Sequence, residues 1–317
     1  MADERVPRSV LHGVRHEGGG VLRLYLDCDT GVDDALAIAY LLASPQVELL
    51  GIGTCNGNTS AVQAARNTLG LLNLSDISDI PVAIGEGAHR PGAEVVHGDN
   101  GVGGVTLPDG GEPDPRTATE LIKGLARDNP GELHILATGP CTNLGQVLSE
   151  MPEITDLIAS VTVMGGAVRS PGNVTPHAEA NIAGDPAAAA AVLAANWPVT
   201  LVPLDVTMNH RWTEADRAAL RAGGTALHEA LADMVPVYFD WYEPELGVRE
   251  IPLHDPLAAA IAIGDLSPSD APRLPLRVDP GGAVREDPSA PSAVRVVFAL
   301  AEPGGPAILR RILQPRQ

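Results

Sequence analysis

Val21-Leu22-Arg23-Leu24-Tyr25-Leu26-Asp27-Cys28-Asp29-Thr30-Gly31-Val32-Asp33-Asp34-Ala35-Leu36-Ala37-Ile38-Ala39-Tyr40-Leu41-Leu42-Ala43 passes from a strand, through a glycine turn, into a helix. Val21–Asp27 has the length and apolar content of a strand, and Asp33–Ala43 the Ala/Leu-rich spacing of a helix. Gly31 permits the sharp turn between them. Asp27 and Asp29 are two apart at the strand end, so their side chains tend to point the same way, and Asp33 and Asp34 open the helix. Capping and the macrodipole favour aspartate at a helix N-terminus, which accounts for one or two of these four carboxylates but not for all. Crowded carboxylates repel, and several take up protons unless a cation sits among them. The cluster therefore reads as a metal site, and its oxygen donors favour Ca²⁺ or Mg²⁺ over zinc or copper.

The same alternation continues outward. Strands are expected at Val47–Gly53, Pro81–Ile84, Leu133–Ala137, Val161–Met164, Val199–Pro203 and Val294–Leu300. Helices are expected at about Ser60–Leu72, Thr117–Asp128, Asn143–Glu150, Pro186–Ala195, Glu214–Ala222 and Ala226–Glu243. This rhythm implies an α/β protein with a mostly parallel, Rossmann-like open sheet and helices on both faces. No internal repeat or dividing linker is visible, so residues 21–317 read as a single domain behind a flexible tail, residues 1–20. The Gly/Pro-rich segments near 85–115 and 267–292 read as loops inserted in that domain. Several strands run into small polar clusters: Asp27–Gly31, Thr54-Cys55-Asn56-Gly57-Asn58, Thr138-Gly139-Pro140 and Met164-Gly165-Gly166. Ligands of open α/β sheets bind beyond the carboxyl ends of the strands, so these clusters are expected to converge on one active site.

Bulk composition narrows the function. With 317 residues, 44% hydrophobic and 19% charged, the chain has the makeup of a soluble globular protein with a sizeable core. A formal charge of −19 speaks against a nucleic-acid partner, because phosphate binding needs a basic stripe and Lys123 is the only lysine. Cys28, Cys55 and Cys141 form no C-x-x-C and no even-numbered framework, so they read as reduced core residues. No apolar run reaches the ~18 residues of a membrane span, and residues 1–20 lack the apolar centre of a signal peptide. A cytoplasmic protein is expected, in which the glycosylation sequon Asn173-Val174-Thr175 has no weight.

Haloacid-dehalogenase phosphatases also carry D-x-D after a first strand and bind Mg²⁺. Their motif wants threonine or valine at its fifth position, where this chain has Gly31, and they need a later lysine or arginine for the phosphoryl group. Lys123 reads as a solvated helix position, although an arginine could fill that role. The motif with its downstream partners resembles the nucleoside hydrolase (inosine–uridine hydrolase) family much more closely. That family has D-x-D-x-G-x-D-D after its first strand, and here Thr30 stands where proline is usual. Family-like blocks follow in order: Gly51–Thr54 leading to Gly57-Asn58, His97–Gly101, Ala137–Asn143, Met164–Gly166, Asn173–Asn181 and His254–Ala258. The resemblance covers about residues 21–265 and leaves the segment after about residue 270 unassigned.

The resemblance implies hydrolysis of the N-glycosidic bond of ribonucleosides, giving ribose and free base. It implies Ca²⁺ as cofactor, held by Asp29, Asp34, the carbonyl of Thr138 and Asp255, with Asp29 as general base on a calcium-bound water. Asp255 alone would also suit a helix cap before Pro256. Asp33, Asn58, Asn173, Glu179 and Asn181 resemble the ribose-binding residues; vicinal hydroxyls need the paired acceptors and donors they supply. Asp27 is expected to orient the cluster from behind. His254 matches a histidine that, in the inosine–uridine branch, is linked to protonating the leaving base, where the purine-specific branch tends to carry tryptophan. Tyr238 and Tyr242 are i,i+4 on one helix face and either line the base pocket or pack in the core. His97, in its Gly-rich loop, is placed as helping to close over the substrate, while His134 reads as core. The expected partner is a small-molecule nucleoside, and the expected assembly a homodimer or homotetramer. A non-catalytic, calcium-stabilised nucleoside-binding protein is the alternative; it would be marked by loss of Asp29 or of the ribose residues, and none is missing.

Overall fold

The computed structural model describes residues 20–87 and 94–314, so all of the expected tail but Gly20 lies outside the described residues. Its first strand, β1 (Leu22–Cys28), runs through the middle of the sheet. After it come β2 (Val47–Thr54), β3 (Val82–Ile84), β4 (Leu133–Ala137), β5 (Ile158–Met164) and β6 (Val199–Val202), all parallel, in the spatial order β6-β5-β4-β1-β2-β3. The chain grows to one side of β1 and then, with β4, to the other. That reversal opens a crevice between β1 and β4 at their carboxyl ends, where doubly wound sheets hold ligands. Register makes the point concrete: Asp27 lies opposite Gly53 of β2 and Ala137 of β4, so the loops after all three strands meet.

Burial on both faces explains why β1 is nearly all apolar. Leu22, Leu24 and Leu26 enter one core, with α1 (Val32–Leu42) and the helices Ala226–Leu246 and His254–Ala262. Tyr25 enters the other core, with the helices Ala118–Asp128, Thr142–Glu150 and Pro186–Ala194. Every residue of α1 from Val32 to Leu41 is buried, which suits a helix enclosed by the sheet and by other helices. The long helix Ala226–Leu246 carries Pro236 inside it, so the carbonyl of Ala232, one turn back, loses its helical donor. The guanidinium of Arg217 replaces that donor, at 3.1 Å. The helix thereby continues unbroken to Tyr238 and Tyr242.

Two expected loops hold more structure than their composition suggests. Within 267–292, the strands Arg273–Val278 and Val284–Glu286 extend the main sheet in antiparallel fashion beyond Ala293–Val296, which itself pairs parallel to β6. Val284–Glu286 is the sheet's edge strand, and its charged Arg285 and Glu286 suit that place. The expected strand Val294–Leu300 is divided: Ala299–Leu300 pairs instead with Pro268–Asp270. Within 85–115, Glu94–His97 forms one helical turn. The segment after residue 270 thus completes the sheet and supplies a last helix, Gly304–Ile312, whose Ile308 and Ile312 are buried. His134 is half-buried, not core, with its Nδ1 2.8 Å from the hydroxyl of Ser160 across the β4–β5 pair. Among the described residues no helix is long and apolar enough to cross a membrane.

Candidate active site

Gly31 is the N-cap residue of α1, and the Asp34 carboxylate reaches back to accept its N–H at 2.7 Å. Capping therefore accounts for part of Asp34, as the sequence suggests, while the other Asp34 oxygen accepts the Thr138 hydroxyl at 2.7 Å. A side chain at Gly31 would meet the Asn58 amide and the His97 ring, with a Cβ only 2.5 and 2.6 Å from their nitrogens. The glycine is what lets those two residues close on the start of α1. His97 is held there by its Nδ1, which accepts the Val32 N–H at 3.1 Å and lies 3.9 Å from Asp33.

Asp33, Asp34 and Asp255 each bring a carboxylate oxygen to within 4.8 Å of the others, and all three are buried. Asp29 lies beside them, with its two oxygens accepting the Asn58 backbone N–H at 2.7 Å and side-chain amide at 3.0 Å. Burial, followed by the charge of Asp34, lifts the Asp33 carboxyl to about 7 and the Asp29 carboxyl well above the usual range. Burial and then Asp33 do the same to Asp255, and burial raises Asp34. Crowded and buried in this way, several of these groups take up protons near neutrality unless a cation offsets their charge. One oxygen of Asp33, at the cavity, and one of Asp27, behind it, are buried with no hydrogen-bond partner. These donors are all oxygen, which fits a hard cation such as Ca²⁺ or Mg²⁺. Asp27 stands apart: its carboxylate accepts from Asn143 at 3.0 Å, and burial raises it to about 7.

A cavity of about 380 Å³ opens over this cluster. Asp33, Asn58, Thr138, Asn173, Glu179, Asn181 and Asp255 form its polar wall, whereas Asp29 and Asp34 do not line it. Glu179 is fixed by three backbone N–H groups, those of Gly166, Asn181 and Ile182, at 2.8–3.1 Å. The Asn181 amide donates to the Thr138 carbonyl at 2.7 Å, and Asn173, which is exposed, caps the Ala180 N–H at 3.0 Å.

His97, Tyr238, Tyr242 and His254 form a second wall of rings. Tyr238 and Tyr242 meet edge to face with centroids 5.0 Å apart, and the Tyr238 hydroxyl donates to Asp33 at 2.9 Å. Both tyrosines are buried and both line the cavity. Burial draws the His254 imidazole down to about 3. Its ring nitrogens lie 2.9 Å from the Tyr242 hydroxyl and 2.8 Å from the Thr207 hydroxyl. The sequence reading missed Thr207, which a single threonine after a strand does not betray. It also missed Trp241, although the spacing 238, 241, 242 puts all three aromatics on one helix face.

Comparison with known proteins identifies the family. Residues 24–300 match the model of the inosine-uridine preferring nucleoside hydrolase family. Uridine nucleosidase 1 of Arabidopsis thaliana is 35% identical over 242 residues, covering 74% of this chain and 72% of its own. A pyrimidine-specific ribonucleoside hydrolase of Salmonella arizonae is 38% identical over 247 residues, covering 75% and 78%. Among solved structures, a purine-preferring ribonucleoside hydrolase from Gardnerella vaginalis superposes with a TM-score of 0.85 at 33% identity, over 92% of this chain and 96% of that one. A plant nucleoside hydrolase gives 0.86 at 27% identity, over 93% and 99%. The chain belongs to the inosine-uridine preferring nucleoside hydrolase family and is an N-ribosyl hydrolase, acting on N-glycosyl compounds.

Proposed function

We propose that the chain hydrolyses ribonucleosides with Ca²⁺ held by Asp29, Asp34, the Thr138 carbonyl and Asp255, and that Asp29 takes the proton of the attacking water. The observation that carries this reading is the buried meeting of the Asp33, Asp34 and Asp255 carboxylates beside the cavity. When bound, a hard dication supplies the charge that offsets these carboxylates, orients vicinal hydroxyls and acidifies a water.

Cleavage develops positive charge on the ribose and negative charge on the departing base. The carboxylate group faces the first demand. Asp33, Asn58, Asn173, Glu179 and Asn181 offer donors and acceptors to the sugar hydroxyls, and the bonds that hold Glu179 and Asn181 fix where those atoms sit. Asp29, held by two bonds from Asn58 beside Asp34, is the carboxylate placed to take the water's proton. The second demand falls to His254, His97, Tyr238 and Tyr242. With its imidazole neutral, His254 assists the base by a hydrogen bond made directly or through Tyr242. Among the described residues no lysine or arginine lines the cavity, which disfavours phosphoryl substrates. Three free, buried cysteines fit a reducing cytoplasm.

The test is a panel of inosine, adenosine, guanosine, uridine and cytidine, read by ribose release with and without Ca²⁺. Calcium-dependent ribose release is expected. Phosphate release from sugar phosphates, with no ribose from any nucleoside, would sink the reading.

A further inference from the structure

Thr30 sits between Asp29 and Gly31, in the turn into α1, yet it does not line the cavity. It is fully buried, and the helix Ala61–Leu74 holds it at two points. The Thr30 hydroxyl lies 2.7 Å from that of Thr68, and the Thr30 carbonyl accepts the Asn67 amide at 3.3 Å. The Thr68 hydroxyl donates one turn back to the Ala64 carbonyl at 2.9 Å, so its proton is engaged and Thr30 is the donor of the pair. The Asn67 nitrogen also donates to the Asn100 carbonyl at 2.8 Å, while its oxygen accepts the Gln63 amide at 2.9 Å. Asn100 belongs to the loop that carries His97, closed by the Gly103 N–H on the His97 carbonyl at 2.7 Å. One helix thus grips the turn after Asp29 and, through Asn67, the loop of His97. Capping of α1 does not supply this grip. The bond from Gly31 sets Asp34 against the helix start, whereas Asp29 lies on the other side of Thr30.

We infer that Thr30 is a positioning residue: anchored on Asn67 and Thr68, it sets the spacing of the Asp29 and Asp34 carboxylates. It acts through those two side chains and touches no substrate. In assigning them a cation, this rests on the calcium-dependent hydrolase reading above. Residues behind metal ligands fix where the ligand atoms sit, and with them the affinity of the site.

Four variants separate this role from packing. Thr30→Val keeps the shape and leaves Thr68 bonded to Ala64, so the metal-free melting temperature should fall little. Its Ca²⁺ dissociation constant, read by calorimetry, should rise ~10-fold or more, with ribose release falling in step. Thr30→Ser, which restores the hydroxyl, should recover both. Thr68→Val leaves the Thr30 hydroxyl the weak sulfur acceptor of Cys28, at 3.4 Å, and should lower the melting temperature as well. Adding Thr30→Val to Thr68→Val replaces both partners by apolar groups of the same shape. The melting temperature should then return while calcium affinity does not. A dissociation constant that recovers with the melting temperature, or one within ~2-fold of wild type in Thr30→Val, overturns the inference.

Amide hydrogen exchange on the metal-free protein reads the same turn without calcium. The Gly31 and Val32 amides should exchange ~5-fold faster in Thr30→Val, with those of residues 69–72 at the wild-type rate. Unchanged exchange at Gly31 and Val32 also overturns the inference. Faster exchange there, in a protein whose wild type binds no Ca²⁺, keeps the anchored turn and removes the calcium reading instead.

Discussion

The hydroxyl of Tyr242 lies 2.9 Å from Nε2 of His254, and the hydroxyl of Thr207 lies 2.8 Å from Nδ1 of the same ring. Both imidazole nitrogens are thus engaged, and the ring is oriented from two sides. A purine or pyrimidine leaves poorly as an anion unless a hydrogen bond or proton reaches it. His254→Ala should therefore lower turnover of inosine and uridine but change little with nitrophenyl riboside, whose leaving group needs no such help. Thr207→Val should act in the same direction and more weakly, since it frees the ring without removing it. Parallel kcat measurements on the three substrates check this. Equal losses on all of them would mean that His254 serves the fold or Asp255, not the leaving group.

Asp29 can be tested at constant shape. Asp29→Asn keeps the volume and one of the two bonds from Asn58, since its amide nitrogen cannot accept the other, and it cannot take a proton. Ribose release from inosine or uridine should fall by at least ~100-fold, the lower range for a lost general base. Calcium affinity, measured by calorimetry, separates lost proton transfer from lost ligation. A variant within a few-fold of wild type in turnover would remove Asp29 from the base role.

The crowded carboxylates also make a thermal prediction whose sign follows from linkage. Asp33 is raised from 3.8 to about 7 in the fold, as is Asp27. Between those values the folded chain holds protons that the unfolded chain has lost, so folding stability falls as pH rises through the window. Without metal, the melting temperature should therefore drop between about pH 4 and pH 7. Saturating Ca²⁺ should flatten the drop, adding about 2.7 kcal/mol at a hundred times its dissociation constant. Chelator should abolish ribose release and restore the slope. Melting curves at both pH values, with and without Ca²⁺, decide it; a metal-free protein that gains stability as pH rises would contradict the cluster's burial.

What the sequence made legible follows from how local each signal is. The strand–turn–helix of Leu22–Leu42 is written in adjacent residues, and so is the convergence of strand ends on one side. That β4 sits beside β1 is a long-range pairing with no local mark, and it alone brings Thr138 to Asp34. The strand Arg273–Val278, second from the sheet's edge, was obscured because its proline and arginines look like a loop in one dimension. Asp33 shows the limit in the site itself. Its place in the motif is plain, but its bond from Tyr238, 205 residues away, depends on how the helix Ala226–Leu246 crosses α1. Trp241 was missed because its exposure, not its identity, marks it.

Gly57 offers a test of how tightly the base is held. Its backbone lies so close to Asp29 that a Cβ there would sit 1.8 Å from one carboxylate oxygen and 2.7 Å from the carboxyl carbon. Its φ is not in the left-handed region, so alanine suits the backbone and only the contact is lost. In Gly57→Ala the Asp29 carboxylate must leave the Asn58 N–H, a bond of 2.7 Å. Ribose release should then fall nearly as far as in Asp29→Asn, with the protein still folded by circular dichroism. If the methyl acts only through Asp29, the two changes do not multiply, because residues in contact fail to add. Adding Gly57→Ala to Asp29→Asn should therefore cost little further activity. Kinetics of the two single variants and the double variant give the answer: losses that multiply would show that Gly57 serves the site by a route other than Asp29, with the Asn58 loop the first place to look.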